Sequence, residues 1–285
     1  MEELMFVQHD NFERQKQRLF RGGPGRLKIL ADFDRTLTTN FIHGRKAPSL
    51  IASLRDGNYL SSDYAAKAQA LHDYYQPFED DNSLSLESKS SLMMEWWQRH
   101  FELLIASGLR QKDIVSVIDE HLANLRNGVS EFLSLLSCHK IPLIIFSASG
   151  LGRFGLKYFL TRRGLWTDNI FLVANDFIWD EQGRAIGVCE PIIHSCNKNQ
   201  SVLSFFNVDE AFKKRDNILL LGDSLGDAAM VDGMAPAAVL KIGFLNDKIR
   251  ESLPAYRALY DVLILNDGDF ALPLSILKDL LTYVD

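Results

Sequence analysis

Leu27-Lys28-Ile29-Leu30-Ala31-Asp32-Phe33-Asp34-Arg35-Thr36 is a short apolar run that ends abruptly in two acids. Leu27 to Ala31 has the length of a strand, and the turn-rich Arg21-Gly22-Gly23-Pro24-Gly25-Arg26 bounds it on the N-terminal side. In open α/β sheets ligands bind beyond the carboxyl ends of the strands, so acids placed there are the first candidates for chemistry. Alternation along an extended segment puts Asp32 and Asp34 on one side, as two carboxylates able to serve one site. Taken alone, the motif reads equally well as an Asp-rich turn.

Working outward, residues 1–20 read as a polar, amphipathic helical lead-in. From Asp63 to Leu125 the chain is long, rich in Ala, Leu, Glu and Lys, and helical in period, with Met93, Trp97, His100, Phe101 and Leu104 on one face. After Gly128 the rhythm becomes strand–helix alternation. Strand-length runs occur at Ile141–Phe146, Asn169–Ala174, Asn217–Leu221, Ala237–Ile242 and Asp261–Leu265, with a hairpin turn at Asp180-Glu181-Gln182-Gly183. Runs of this kind between helices imply a parallel sheet covered on both faces. The expected fold is therefore α/β, a doubly wound, Rossmann-like parallel sheet with an inserted α-helical cap. Residues 1–40 and 128–285 would form the core and residues 41–127 the cap.

The other strand ends carry chemistry too. Ser147-Ala148-Ser149-Gly150 offers a hydroxyl and backbone N–H groups that can hold phosphate oxygens at the start of a helix, or simply cap that helix. His194-Ser195-Cys196-Asn197-Lys198 precedes a helical pattern from Asn199 to Phe206. Lys198 there could neutralise a transferring phosphoryl group, although lysine is mostly exposed and solvated. Gly222-Asp223-Ser224-Leu225-Gly226-Asp227 places two acids four apart among small residues, a pattern that suits a hard divalent cation.

Together, Asp-x-Asp-x-Thr, Ser, Lys and Gly-Asp-Ser-x-x-Asp resemble the four motifs of haloacid dehalogenase (HAD) superfamily phosphatases. The wider strings resemble one branch, the cytosolic type III 5'-nucleotidases. They include Met94-Glu95-Trp96-Trp97, Ile193-His194-Ser195-Cys196-Asn197-Lys198 and Leu240-Lys241-Ile242-Gly243-Phe244-Leu245-Asn246-Asp247. The resemblance implies a Mg²⁺-dependent hydrolase of nucleoside 5'-monophosphates (CMP, UMP or 7-methyl-GMP) working through an aspartyl-phosphate. It implies Asp32 as nucleophile and Asp34 as general acid, then base. Mg²⁺ would be held by Asp32, the Asp34 backbone carbonyl and Asp223, with Asp227 in support. Ser147, Ala148 and Lys198 would hold phosphate, and Glu79 and Trp97 would meet the base. Trp97 reads by composition and period as cap core as well. His100 stands where pyrimidine-type members often carry Ser, and Ser149 looks like an insertion in the Ser147 loop.

The bulk properties agree. Of 285 residues 47% are hydrophobic and 24% charged, and the net charge is −6 with a pI near 5.7. That balance argues against a nucleic-acid polymer as partner, and no apolar run approaches the roughly 18 residues of a membrane helix. The expected protein is a cytoplasmic monomer with no membrane partner. Alternatives are a HAD-type phosphatase of another small phosphomonoester, a receiver-like module phosphorylated on Asp32, and an NAD-dependent oxidoreductase. The last rests on Gly150-Leu151-Gly152-Arg153-Phe154-Gly155 with Asp176 downstream. Cys189, His194 and Cys196 lack an evident fourth ligand for structural zinc.

Overall fold

The computed structural model describes residues 4–6, 9–57, 59–81, 83–120, 123–206, 208 and 210–283. In chain order the strands are β1 (Leu4–Phe6), β2 (Leu27–Ala31), β3 (Phe41–Ile42), β4 (Arg45–Lys46), β5 (Leu143–Ser147), β6 (Ile170–Ala174), β7 (Phe177–Trp179), β8 (Ala185–Val188), β9 (Asn217–Gly222), β10 (Ala238–Leu245) and β11 (Val262–Leu265). The helices are α1 (His9–Gly22), α2 (Leu50–Asp56), α3 (Tyr64–Asp80), α4 (Leu86–Ala106), α5 (Gln111–Glu120), α6 (Val129–Cys138), α7 (Gly152–Arg162), α8 (Gln200–Leu203), α9 (Glu210–Lys213), α10 (Ile249–Leu259) and α11 (Ala271–Thr282). Asp227–Val231 forms a 3₁₀ turn.

One seven-stranded sheet runs in the order β1-β11-β10-β9-β2-β5-β6. Its neighbours are all parallel except β1, which pairs antiparallel with β11. Every residue of β2, β5, β9 and β11 is buried, which is why these strands read as continuous apolar runs rather than alternating ones. Successive side chains nevertheless go to opposite faces. Ile29 and Ala31 share a cluster with Leu19 of α1, Phe132 of α6, Leu156 of α7 and Leu277 of α11. Leu30 lies in the other cluster, with Val202 of α8, Phe212 of α9 and Tyr260. Both faces are covered, and the fold is α/β as the alternation implied.

Between β2 and β5 the chain leaves the sheet through the β3–β4 hairpin and helices α2 to α5 before returning. Phe101 and Ile114 of these helices belong to the same buried cluster as Ile29. On α4, Met93, His100, Phe101 and Leu104 are buried and Trp97 is half-buried, which is the face the 3.6-residue period picked out.

Three local readings change. The N-terminal lead-in is not one helix: α1 covers His9–Gly22, while Leu4–Phe6 pairs with the open edge of β11, Leu4 opposite Ile264 and Phe6 opposite Val262. A three-residue edge strand carries no periodic signal, so its partner alone decides it. The helical pattern from Asn199 to Phe206 condenses to one turn, α8, where the Asn199 side chain accepts from the Val202 N–H at 3.2 Å. Lys198, by residue type a surface lysine, is 5% exposed. His121 lies outside the described residues.

Candidate active site

Register brings the motifs together. Ala31 on β2 sits opposite Ile145 on β5 and Leu221 on β9, so the three strands end side by side. Asp32, Ser147 and Asp223 follow from these ends. The Asp32 N–H donates to the Leu221 carbonyl at 3.0 Å, extending the ladder to the acid itself.

Lys198 joins them from the loop before α8. Its ammonium donates to Asp32 Oδ1 at 2.5 Å and to Asp227 Oδ1 at 2.7 Å, and all three side chains are at most 6% exposed. The other Asp227 oxygen accepts from the N–H groups of Asp223 (3.1 Å) and Ser224 (2.9 Å) and from the Ser224 hydroxyl (2.8 Å). Both oxygens of Asp227 are therefore occupied in shaping the loop. Gly222 permits this: a Cβ there would lie 2.3 Å from Asp227 Cβ. Gly226 is held to the same standard, with a Cβ 2.0 Å from the Ser195 carbonyl oxygen. Tyr256 of α10 and Tyr260, the residue that caps its C-terminus, donate to the carbonyls of Asp223 and Ser224, each at 2.5 Å. These two tyrosines escaped the sequence reading, and Ser224 was quoted there within its motif without a role. The i, i+4 spacing of the tyrosines is their sole signal, and it reads as ordinary helix packing.

Asp223 is less committed. Its Oδ1 accepts from the Thr36 hydroxyl at 3.5 Å, the limit of a hydrogen bond. The Asp34 carboxyl has no hydrogen bond or ion pair among the described residues, so it is free to meet a ligand. Ser147 Oγ accepts from the Ser149 N–H at 3.0 Å, which leaves its own hydrogen available to donate. The Ala148 N–H has no partner among the described residues.

Charge in this cluster is unbalanced. Burial pushes the Asp32 carboxyl up to about 7 against the pull of Lys198. Burial raises Asp34 as well, against Arg35 and Lys198. Asp223 is driven well above the usual carboxylate range by burial, then by Asp32 and Asp227. Burial pushes the Lys198 ammonium down, but Asp227 and Asp32 together outweigh it and hold it above its usual value. Ligand oxygens of Asp32, Asp223 and Asp227 lie within 4.8 Å of one another. Buried carboxylates facing a single ammonium, with Asp223 almost unpartnered, form an all-oxygen, electron-rich set that fits a hard divalent cation.

The inserted helices reach the loops around this cluster. Glu79 Oε1 accepts from the Ser195 hydroxyl at 2.7 Å, three residues before Lys198. Trp97 lies against the Ser147 loop: its Cζ3 would be 3.1 Å from a Cβ on Gly150. Its ring is tilted on Phe101 at 5.4 Å and edge-on to His100 at 5.8 Å. Glu79 and Trp97, far from the strand motifs in sequence, thus abut the loops that carry Lys198 and Ser147.

The glycine fingerprint has a packing role. Gly155 faces Leu151 and Ile114, and Gly150 faces Ile51 and Trp97, each too close for a Cβ without displacement. Asp176 is ion-paired with Arg153 at 2.7 Å rather than left to meet a ribose. Among the described residues the candidate metal-binding group is the Asp32 cluster, and Cys189, His194 and Cys196 form none. His194 Nδ1 instead accepts from the Cys196 N–H at 3.2 Å, and burial lowers its imidazole to about 4.

Comparison with known proteins gives a consistent picture. The profile of the family described as pyrimidine 5'-nucleotidase (UMPH-1) matches residues 35–281. A Xenopus laevis protein named 7-methylguanosine phosphate-specific 5'-nucleotidase A is 36% identical over 251 residues, 88% of this chain and 86% of that protein. The Homo sapiens 7-methylguanosine phosphate-specific 5'-nucleotidase is 34% identical over 250 residues, covering 87% and 83%. The crystal structure of cytosolic 5'-nucleotidase IIIB bound to cytidine superposes with a TM-score of 0.87 at 28% identity, covering 98% of this chain and 94% of that one. A HAD family hydrolase from Salmonella enterica shares the fold, with a TM-score of 0.56 at 16% identity over 91% of this chain and 73% of the other.

Proposed function

The chain belongs to the pyrimidine 5'-nucleotidase family, a group of phosphoric monoester hydrolases, and from that premise we propose that it cleaves 7-methyl-GMP and CMP through an aspartyl-phosphate on Asp32. The observation that carries this reading is the buried Lys198 ammonium shared between Asp32 and Asp227, beside an almost unpartnered Asp223. Such a cluster is costly to bury and is matched to a ligand that brings both a cation and a phosphate.

Asp32, the backbone carbonyl of Asp34 and Asp223 would hold Mg²⁺, with Asp227 positioning Lys198 and the Gly222–Asp227 loop. Bound there, the ion lowers the repulsion between the Asp32 carboxylate and a phosphate dianion. Asp32 attacks phosphorus in line as Asp34, its pKa raised by burial, gives its proton to the departing 5'-oxygen. Asp34 then takes a proton from water, which hydrolyses the aspartyl-phosphate. Ser147, Ala148 and Lys198 hold the phosphoryl oxygens, contributing through position and charge.

Residues 1–40 and 128–285 would act as the catalytic core and residues 41–127 as a cap over the nucleoside. Trp97 offers a π-face, and Glu79 accepts hydrogen bonds from an exocyclic amino group. Cytosine carries such a donor. 7-Methylguanine adds a positive ring, attractive to both residues. The names of the relatives and the cytidine in the matched structure support this choice. A cytoplasmic location is in keeping with the matched structure, which is named a cytosolic 5'-nucleotidase. Among the described residues no helix is long and apolar enough to cross a membrane.

Phosphate release should be measured over UMP, CMP, GMP, AMP, their deoxy forms and 7-methyl-GMP. CMP and 7-methyl-GMP should be cleaved faster than AMP and GMP. A 7-methyl-GMP rate no better than that of GMP would sink the substrate assignment and leave the hydrolase intact.

A further inference from the structure

We propose that Arg126 is a positioning residue, the clamp that fixes the loop after Asp34 and the point where the inserted helices join the sheet. The side chain is fully buried, and each of its five N–H donors has an acceptor. Nε donates to the Thr36 carbonyl at 2.9 Å. Nη1 donates to the Gly268 carbonyl at 2.6 Å and pairs with Asp267 at 2.8 Å. Nη2 donates to the Arg35 carbonyl and to Asn246 Oδ1, the latter at 2.8 Å. The guanidinium also lies 4.5 Å from the centroid of the Phe244 ring.

The partners lie on both sides of the insertion. Asp267 accepts from the N–H groups of Asn40 and Phe41, both at 2.8 Å, where the chain leaves the core. The backbone N–H of Arg126 donates to the Leu37 carbonyl at 2.9 Å, and Thr39 N–H donates to the Asn124 carbonyl at 2.9 Å, where the chain returns. One buried guanidinium thus ties the outgoing segment, the incoming segment and the loops after β10 and β11.

Its leverage on the site runs through Arg35. That residue has φ = 61°, a left-handed conformation that a side chain disfavours. Its carbonyl is gripped by Arg126 and by the Asn246 amide at 3.0 Å, and its N–H donates to the Thr38 hydroxyl at 2.8 Å. The turn so held directly follows Asp34 and sets the direction of the Asp34 carbonyl and side chain. The catalytic part of this inference rests on the role proposed above for Asp34; the clamp does not.

The test pairs Arg126→Lys with Asn246→Ala. Lysine keeps the charge but offers three donors and no planar fork. Both proteins should be confirmed folded by circular dichroism, then assayed with the nucleotide cleaved fastest in the screen. The expected result for Arg126→Lys is a kcat lowered by about 10- to 100-fold per folded molecule, with KM moved by less than about threefold, because a displacement of about 1 Å remote from the chemistry costs that much. Asn246→Ala, which removes one of the two donors to the Arg35 carbonyl and one acceptor of Arg126 Nη2 but leaves the guanidinium in place, should show a smaller loss of the same kind and serves if Arg126→Lys does not fold. Amide exchange at Asn40 and Phe41 should quicken in Arg126→Lys. Exchange as slow as in the parent overturns the clamp, and kcat within about twofold of the parent in both variants overturns its role in turnover. Asp32→Asn checks the catalytic reading separately.

Discussion

Replacing Lys198 by methionine removes one charge and keeps much of the apolar stem, so it isolates the ammonium. At an effective dielectric near 20, unit charges 2.5–2.7 Å apart attract by about 6 kcal/mol per pair, before several kcal/mol of desolvation are subtracted. The variant has an escape: one carboxylate can take up a proton. Counted from the ordinary 3.8 of the unfolded chain that costs about 5 kcal/mol at pH 7.5, and part of it is already present in the parent, where burial raises Asp32 to about 7, so about 5 kcal/mol is an upper limit on the damage. The expected destabilisation without metal is therefore about 3–5 kcal/mol, in line with the general cost of orphaning a buried charge. For a chain of 285 residues, with about 2.1 cal/mol/K of unfolding entropy per residue, this lowers Tm by roughly 5–8 °C. A divalent cation restores positive charge to the same carboxylates, so the gap between parent and variant should be narrower in millimolar Mg²⁺ than in EDTA. Scanning calorimetry of both proteins in both buffers reads the effect. Turnover should also fall, by about 10²–10³-fold. A Tm in EDTA within about 2 °C of the parent, or a gap unaffected by Mg²⁺, refutes the charge argument.

Asp32→Asn keeps the size of the side chain but removes the attacking charge, and turnover should drop by at least about three orders of magnitude; activity within tenfold of the parent rejects the nucleophile. EDTA should abolish activity and Mg²⁺ restore it, with Asp223→Ala raising the Mg²⁺ requirement or abolishing turnover; full activity in excess chelator rules the metal out. Trp97→Ala should raise KM for 7-methyl-GMP by roughly two- to thirtyfold, the range that corresponds to about 0.5–2 kcal/mol of cation–π attraction, whereas an equal loss on every nucleotide returns Trp97 to the helix core. Burial lowers the His100 imidazole to about 4, below its ordinary 6.5, so the stability tied to its neutral form is complete above pH 6.5 and is lost as pH falls toward 4. His100→Phe should remove about 2–3 kcal/mol of the loss between pH 7.5 and 4.5, read from urea midpoints; an acid limb identical to the parent's contradicts this.

The sequence by itself determined the fold class. Strands buried on both faces are predominantly apolar, so β2, β5 and β9 stand out from the helices between them, and each ends in polar residues. Asp32, Asp34, Ser147, Asp223 and Asp227 were legible because they follow those runs directly. Lys198 drew attention as a lysine grouped with the strand ends, although it lies in the loop before α8, and Glu79 only through family resemblance. Tertiary structure decided the rest. Nothing local says that Lys198 is buried between Asp32 and Asp227, because its partners are 166 and 29 residues away. Leu4–Phe6 is a strand only because β11 offers an open edge, and Arg126 reads as an unremarkable surface cation until its acceptors converge from residues 35–36, 246 and 267–268. Hydrophobic period is a local property of the chain, and sequence shows it. The partner of a buried charge is fixed by loop closure across the sheet, which no window of sequence contains.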